Sequence, residues 1–358
     1  MSSRSAARLL SRSTFGPAGG RVAAVSRLTS GLSQLAAPAA PPHVGQAPLP
    51  LPRLHRPFST SPRRAATTDP SQSTPPAPTE KPVSLVYELH SPPKDASPNA
   101  GGAQSLVVCH GLFGSKQNWR SLAKAMAKQF GIPVYAVDLR NHGTSTEHVE
   151  GMSYRDMALD LLEFVKEHKL EKIALVGHSM GGKAVMAFAL APELKEGTLE
   201  YLISVDMSPA RGPLSKEFEE YIEAMLAIEK KGCRTRGEAD ELLKETEPDV
   251  GVRQFLLTNL QKSDSSDSWC FRIPVSLIKR YMSQIGDFPY DASDRTWDGK
   301  TLFVKGTESK YINRRNKPLC NEYFPNAVHV DVEAGHWVQA QKPREFIQAL
   351  SDFFAGKL

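Results

Sequence analysis

The sequence predicts an α/β fold in which a mostly parallel, doubly wound sheet carries a helical cap insertion. Three observations support this prediction. From residue 83 onward, short apolar runs rich in β-branched residues alternate with longer segments of helical periodicity. Most of these runs are continuously apolar, which is typical of strands buried on both faces of a parallel sheet. One charged and helical stretch, residues 211–298, interrupts the alternation.

The predicted strands are of two kinds. Ser84–His90 alternates apolar and polar residues, as a half-buried strand does. The others are continuous apolar runs, and they are Ser105–Cys109, Pro133–Asp138, Lys172–Val176, Tyr201–Val205, Thr301–Val304 and Ala327–Val332.

The predicted helices fall between these strands and within the interrupting stretch. Between the strands they cover residues 117–130, 153–169, 181–191, 313–322 and 343–355. Within residues 211–298 they are Lys216–Lys231, Glu238–Glu245, Val252–Leu260 and Pro274–Ile285, and we identify no strand there. An insertion of this kind predicts a helical cap over the functional site. A peripheral helical decoration with no role in substrate access is the alternative.

The first 82 residues have a different composition. Residues 1–68 contain nine arginines, no lysine and no acidic residue, which is typical of a mitochondrial transit peptide. The segment from Arg56 to Ser61 resembles a matrix-processing site. Seventeen of the 27 prolines lie within residues 1–100, and proline disfavours a packed core. We predict a transit peptide over residues 1–65, a proline-rich linker over 66–82 and a folded domain over 83–358. The expected location is mitochondrial, in the matrix or associated with the inner membrane, and a merely basic disordered arm is the alternative.

Composition excludes several classes of function. Nine of the 44 basic residues lie in the first 68 positions, which leaves 35 basic against 39 acidic residues, too few to favour nucleic-acid binding. No run reaches the ~18 apolar residues of a membrane-spanning helix. The four cysteines are far apart and include no C-x-x-C pair, which argues against a disulfide scaffold or a cysteine-rich zinc site. We also find no H-E-x-x-H or other metal motif, and we predict no cofactor.

A candidate nucleophile lies in the G-x-S-x-G motif formed by Gly177, Ser179 and Gly181. The motif follows a buried strand and precedes a helix of small residues, the context in which the serine hydroxyl is exposed on a sharp turn. An overlapping run from Gly177 to Lys183 matches a phosphate-binding loop except at its last position. That loop needs Ser or Thr to bind Mg²⁺, and this sequence has Ala184, which argues against an NTPase.

A serine nucleophile needs a base and an acid. His336 follows the last predicted strand, where its imidazole can reach a serine at the strand ends, and we predict it as the base. Two carboxylates qualify as the acid, Asp206 after the strand that follows the nucleophile and Glu308 after the next strand. Asp206 is favoured, since Glu308 stands alone beside Ser309 and Lys310.

The transition state also needs hydrogen-bond donors for its oxyanion. The turn that closes the second strand is His-Gly-Leu-Phe-Gly, and we expect the backbone N–H of Leu112, or alternatively that of Phe113, to pair with the N–H of Met180. We expect four further side chains to line the substrate pocket, those of Phe113, His110, His178 and Trp337.

Together these motifs resemble one branch of the α/β-hydrolase superfamily. The matching segments are 110–115 (HGLFGS), 138–143 (DLRNHG), 177–183 (GHSMGGK), 205–209 (VDMSP) and 334–337 (AGHW). The branch contains mitochondrial abhydrolase-domain-containing protein eleven, bacterial short-chain esterases and fungal ethanol acetyltransferases. The resemblance spans residues 83–358 and implies the α/β-hydrolase fold. It also implies that the acid follows the strand after the nucleophile, which supports Asp206.

We therefore expect a serine hydrolase that cleaves short-chain carboxylic esters or thioesters through an acyl-enzyme on Ser179. An alcohol O-acetyltransferase using the same three residues is the first alternative. A catalytically silent mitochondrial binding partner is an alternative of another class. The expected partners are a small-molecule ester, thioester or alcohol, whereas the sequence identifies no protein partner.

Overall fold

The computed structural model describes residues 81–145 and 148–358. The predicted transit peptide and nearly all of the predicted linker lie outside the described residues. Nine strands are found in the described part: β1 (Tyr87–His90), β2 (Ser105–Cys109), β3 (Val134–Val137), β4 (Ile173–His178), β5 (Leu199–Val205), β6 (Leu260–Lys262), β7 (Trp269–Phe271), β8 (Lys300–Gly306) and β9 (Ala327–Val332).

Seven of these strands form the central sheet, in the order β1-β3-β2-β4-β5-β8-β9. All neighbours pair in parallel except β1, which runs antiparallel to β3 at the edge. The edge strand β1 is only partly buried, and its apolar residues Tyr87 and Leu89 are more exposed than the polar residues between and after them, so its alternation does not follow the burial of its two faces. The predicted doubly wound, mostly parallel sheet is confirmed.

Helices cover both faces of this sheet. Outside the cap they are α1 (Arg120–Phe130), α2 (Tyr154–Glu167), α3 (Met180–Ala189), α9 (Lys317–Tyr323), α10 (Val338–Gln341) and α11 (Pro343–Phe354). The apolar side chains of α1 and α11 pack in one cluster with one face of the sheet. Those of α2, α3 and α9 pack in a second cluster on the other face. The strand ends that follow β2, β4, β5, β8 and β9 therefore meet along one edge between the two layers, where sites form in folds of this kind.

The cap lies between β5 and β8. It contains the helices α4 (Lys216–Lys231), α5 (Arg236–Lys244), α6 (Val250–Leu257), α7 (Val275–Arg280) and α8 (Met282–Gly286). It also contains an antiparallel hairpin formed by β6 and β7, which corrects the prediction that this stretch has no strand. Strands of three residues are too short to produce a readable alternation of apolar and polar positions.

One predicted helix begins later than expected. The pattern predicts a helix from residue 313, but α9 begins at Lys317. The side chain of Asn316 accepts a hydrogen bond from the backbone N–H of Asn313 at 2.8 Å, so residues 313–316 form a turn instead. In the described ranges, no helix has the length and hydropathy needed to cross a lipid bilayer.

Candidate active site

Ser179 lies at a sharp turn between β4 and α3. Its backbone has φ of 55° and ψ of −117°, a strained conformation that costs of order 1–3 kcal/mol for a residue with a side chain. A Cβ atom at Gly177 would lie 2.1 Å from the carbonyl oxygen of Gly181, and one at Gly181 would lie 2.6 Å from that of His110. Both positions therefore require glycine, and the turn holds Ser179 at the wall of a cavity.

The imidazole of His336 bridges Ser179 and Asp206. Its Nε2 lies 2.9 Å from Oγ of Ser179, and its Nδ1 lies 2.7 Å from Oδ2 of Asp206. Because an ionised carboxylate only accepts hydrogen bonds, Nδ1 carries the proton and Nε2 offers a lone pair to the serine hydroxyl. The structure thus brings together the three predicted residues in a geometry that allows His336 to take the proton of Ser179.

The carboxylate of Asp206 is fully buried. The backbone N–H of Gly306 donates to its Oδ1 at 3.1 Å, and the hydroxyl of Ser309 donates to its Oδ2. Glu308, the other candidate acid, is exposed at the cavity wall and, within the described ranges, makes no hydrogen bond with a histidine. Of the two candidates, the structure therefore places Asp206 beside His336.

Sequence reasoning missed two residues that support this arrangement, Ser309 and Tyr311. The ring of Tyr311 stacks on His336 with centroids 4.0 Å apart and planes inclined by 23°. The backbone N–H of Tyr311 donates to Oγ of Ser309 at 3.3 Å. In the sequence, Ser309 only weakens the case for its neighbour Glu308. Its contact with Asp206 depends on the pairing of β5 with β8, which brings the two strand ends together.

Two residues at the cavity have backbone N–H groups without a protein acceptor in the part of the chain that the structure describes. Leu112 and Met180 both line the cavity beside Ser179, and within the described residues neither N–H donates to a protein acceptor. The N–H of Phe113, the alternative donor, is occupied because it donates to Nε2 of His142 at 3.1 Å. The geometry therefore favours Leu112 over Phe113 as the partner of Met180 in an oxyanion hole.

Three histidines around the site are buried and neutral. Burial lowers the pKa of His110, and it lowers the pKa values of His142 and His178 to about 3. His110 donates from Nδ1 to the carbonyl oxygen of Gly111 at 2.8 Å, and His178 donates from Nε2 to that of His336 at 2.8 Å. Both rings therefore hold the loops that carry the candidate catalytic groups.

The cavity beside Ser179 has a volume of about 620 Å³. Its apolar side chains include Leu112, Tyr154, Met180, Met207, Phe218 and Ile285. The four side chains predicted to line the pocket are absent from its walls, which corrects that prediction. His110 and His178 bind backbone carbonyls, Phe113 packs against Phe218, and Trp337 packs beside Phe255. Closeness in sequence to a motif does not determine the direction in which a side chain points.

Lys183 lies one helical turn beyond Ser179 and lines the cavity although it is almost fully buried. Its Nζ donates to the carbonyl oxygens of Gly286 and Asp287 at 3.0 and 2.9 Å. Burial lowers its pKa to about 8. Lys183, the lysine of the run that resembles a phosphate-binding loop, therefore links α3 to the cap through hydrogen bonds. Across residues 81–145 and 148–358, no cluster of three or more His, Cys, Asp or Glu residues is arranged to hold a metal ion.

Comparison with known proteins agrees with the α/β-hydrolase fold. Residues 104–196 match the family model described as alpha/beta hydrolase fold. The chain is 39% identical to a Xenopus laevis protein named sn-1-specific diacylglycerol lipase, over 76% of this chain and 84% of the relative. It is 32% identical to an ethanol acetyltransferase of Wickerhamomyces ciferrii, over 77% and 75% of the two chains. Among solved structures, a marine microorganism esterase is 33% identical with a TM-score of 0.68, and the match covers 76% of this chain and 99% of the esterase.

Proposed function

This chain belongs to the α/β-hydrolase family, and we propose that it is a serine hydrolase of short-chain carboxylic esters or thioesters. Its relatives include a lipase, an acetyltransferase and an esterase, so it is an enzyme of the ester hydrolase or acyltransferase type. The assignment of the reaction to Ser179 rests on one observation. Ser179, His336 and Asp206 form a hydrogen-bonded chain next to two unoccupied backbone donors.

In the first half of the reaction, Oγ of Ser179 attacks the carbonyl carbon of the substrate as Nε2 of His336 takes the hydroxyl proton. The tetrahedral oxyanion accepts hydrogen bonds from the N–H groups of Leu112 and Met180. Asp206 stabilises the imidazolium that forms on His336. The carbon–oxygen or carbon–sulfur bond to the leaving group then breaks, His336 returns the proton to that group, and an acyl-enzyme remains on Ser179.

In the second half, a water molecule attacks the acyl-enzyme. His336 takes one proton of the water, and the carbon–Ser179 bond of the second tetrahedral intermediate then breaks. The proton returns to Oγ of Ser179, and a carboxylic acid leaves. If an alcohol replaces the water, the same steps release an ester.

The shape of the cavity supports a small substrate. Its volume of about 620 Å³ is within the usual range of small-molecule pockets, which is about 300–1,000 Å³. Apolar side chains such as Met207 and Ile285 suit an acyl chain. These features suit a small-molecule ester or thioester whose acyl group lies beside Ser179.

An alcohol O-acetyltransferase is the second candidate. The observation that favours it is the similarity to the ethanol acetyltransferase, because hydrolysis and transfer share the acyl-enzyme and differ only in the acceptor. In this case the protein would form ethyl acetate from an acetyl donor when ethanol is present.

The experiment that tests both proposals follows the turnover of p-nitrophenyl acetate by the wild type and by Ser179→Ala, with and without ethanol. We expect a burst of p-nitrophenol in the wild type that the variant lacks. Ethyl acetate formed with ethanol would favour the transferase, and acetate alone would favour the hydrolase. Equal turnover by the two proteins would disprove the assignment to Ser179 and favour a binding role.

We further propose that the protein acts in mitochondria. The arginine-rich, acid-free composition of residues 1–68 supports this location. A fluorescent protein fused to residues 1–82 should be imported into mitochondria. A fusion in which the nine arginines are replaced by glutamine should stay in the cytosol, and equal distribution of the two would disprove the proposal.

A further inference from the structure

A buried asparagine of the cap contacts the loop that carries the candidate oxyanion donor Leu112. Asn259 lies between α6 and β6 and is 2% exposed. Its Nδ2 donates to the carbonyl oxygen of Phe113 at 2.7 Å. The backbone of Asn259 is itself fixed, because its N–H donates to Leu256 and its carbonyl accepts from Arg272. The side chain is thus placed by the cap, although the atom that it binds belongs to the core domain.

Phe113 adopts an unusual backbone conformation that needs support. Its φ is 61°, in the left-handed region that residues with a Cβ atom rarely occupy. Its N–H donates to Nε2 of His142, which the core supplies. Its carbonyl oxygen accepts from Asn259, which the cap supplies. The two polar groups of Phe113 are therefore held from opposite sides.

The orientation of the Leu112 N–H depends on this loop. A trans peptide fixes the carbonyl of Gly111 and the N–H of Leu112 in opposite directions. The N–H of Gly114 holds the carbonyl oxygen of Gly111 at 2.9 Å across the turn that contains Phe113. Nδ1 of His110 holds the same oxygen at 2.8 Å from the core side. If Phe113 left its left-handed conformation, the turn would open, and the Gly111 carbonyl and the Leu112 N–H would be held by the His110 contact alone.

We propose that Asn259 is a positioning residue through which the cap sets the orientation of the oxyanion donor Leu112. The proposal rests on the proposed function, since it assumes that Leu112 stabilises an oxyanion. Under this proposal, the core and the cap are both needed to form the oxyanion hole. Only molecules in which the cap is seated on the loop then hold the donor in its reactive direction.

The full chain with Asn259→Leu tests the proposal, because leucine has a similar size and cannot donate. A misplaced donor should lower kcat for p-nitrophenyl acetate by roughly 10- to 100-fold, whereas KM changes by less than about threefold. Affinity for a trifluoromethyl ketone, whose adduct with Ser179 carries an oxyanion, should fall by a similar factor. Tyr281→Phe is the control, because it removes another hydrogen bond that a buried side chain of the cap donates, that with the exposed Glu150, and it should leave kcat within about twofold.

A second variant, Asn259→Asp, keeps the size of the side chain and makes donation depend on pH. The ionised carboxylate repels the carbonyl oxygen of Phe113, whereas the protonated carboxyl group can donate to it. The ratio of its kcat to that of the wild type should therefore rise as the pH falls.

The outcomes separate the possible failures. An unchanged kcat in Asn259→Leu would overturn the proposal. An equal loss of kcat in Tyr281→Phe would also overturn it. So would a ratio of the Asn259→Asp kcat to the wild-type kcat that does not change with pH. Full turnover by Ser179→Ala would disprove the proposed function itself, whatever the Asn259 variants do.

Discussion

The acid of the site is defined by the contacts of one carboxylate. Asp206 directly follows β5, the strand next to the one that carries the nucleophile, and its φ of 51° turns the chain sharply there. Gly306 and Ser309, from the neighbouring strand end, then donate to it. Glu308 lies only one residue from Ser309 but remains exposed. A carboxylate near the strand ends is therefore not sufficient to make an acid of the site. At the end of β8 the inward-pointing residue is Ser309, which contacts Asp206, whereas Glu308 points to solvent.

We predict that Asp206→Asn lowers kcat by roughly 10³- to 10⁴-fold, because an amide at this position favours the wrong tautomer of the imidazole. Steady-state turnover of p-nitrophenyl acetate measures this loss. Glu308→Gln is the control and should stay within about twofold, since an exposed carboxylate contributes little. The reverse result would mean that Glu308 is the acid.

The site residues that could be predicted from the sequence are those fixed by the backbone. Ser179 is positioned by the glycines on either side of it, and His336 by its place after the last strand. Phe113 and Trp337 could not be predicted correctly, because the direction of their side chains depends on Phe218 and Phe255 in the cap. Such contacts join residues more than 80 positions apart, and a local pattern cannot reveal them.

Among the elements, the turn between β4 and α3 is very closely packed. The first turn of the helix approaches the end of the strand so closely that a Cβ atom at Gly177 would overlap the backbone of Gly181. Backbone atoms cannot move aside as a flexible side chain can. The strand and the helix therefore depend on each other for the conformation of Ser179.

We predict that Gly177→Ala abolishes turnover and destabilises the fold by about 2 kcal/mol or more, since the overlap must be relieved by moving the backbone. Thermal unfolding and esterase assays measure both effects. Gly237→Ala in α5 is the matched control, because the nearest atom to a Cβ there lies 3.8 Å away. It should leave turnover unchanged and stabilise the fold by up to about 1 kcal/mol. A similar loss in both variants would contradict the argument from close approach.

The cap shows the limit of sequence reasoning about elements. α4 has the predicted bounds because its apolar positions repeat over 16 residues. The hairpin of β6 and β7 was not predicted, because each strand has three residues and is too short to show an alternation of apolar and polar positions. The N–H of Arg272 donates to the carbonyl of Asn259 just beyond the ends of these two strands, so an element too short to predict lies next to the contact that fixes Asn259.

At the scale of the whole molecule, the buried histidines couple stability to pH. His142 and His178 have folded pKa values of about 3, whereas an unfolded histidine titrates near 6.5. As the pH falls below about 6.5, the unfolded state binds protons that the folded state excludes, so the free energy of unfolding decreases. Above that pH both states are neutral at these positions, and this contribution stays constant.

We predict that the free energy of unfolding falls by about 4 kcal/mol between pH 7.5 and 5 from these two histidines together. Urea unfolding at the two pH values measures the change. His178→Gln, which can still donate to the carbonyl of His336, should show roughly half of this dependence. Equal stability of the wild type at both pH values would contradict the prediction.

The contact between Asn259 and Phe113 also has a consequence for protein engineering. The cap is one continuous insertion between β5 and β8, so it can be exchanged as a unit between relatives. Such an exchange would be a way to change the specificity for the acceptor or the acyl chain. A transplanted cap would need to bring its own donor to the carbonyl of Phe113, in addition to walls that fit the new substrate. Grafts chosen only for the shape of the pocket would bind their substrates and turn them over slowly, and restoring this one amide would be the first repair.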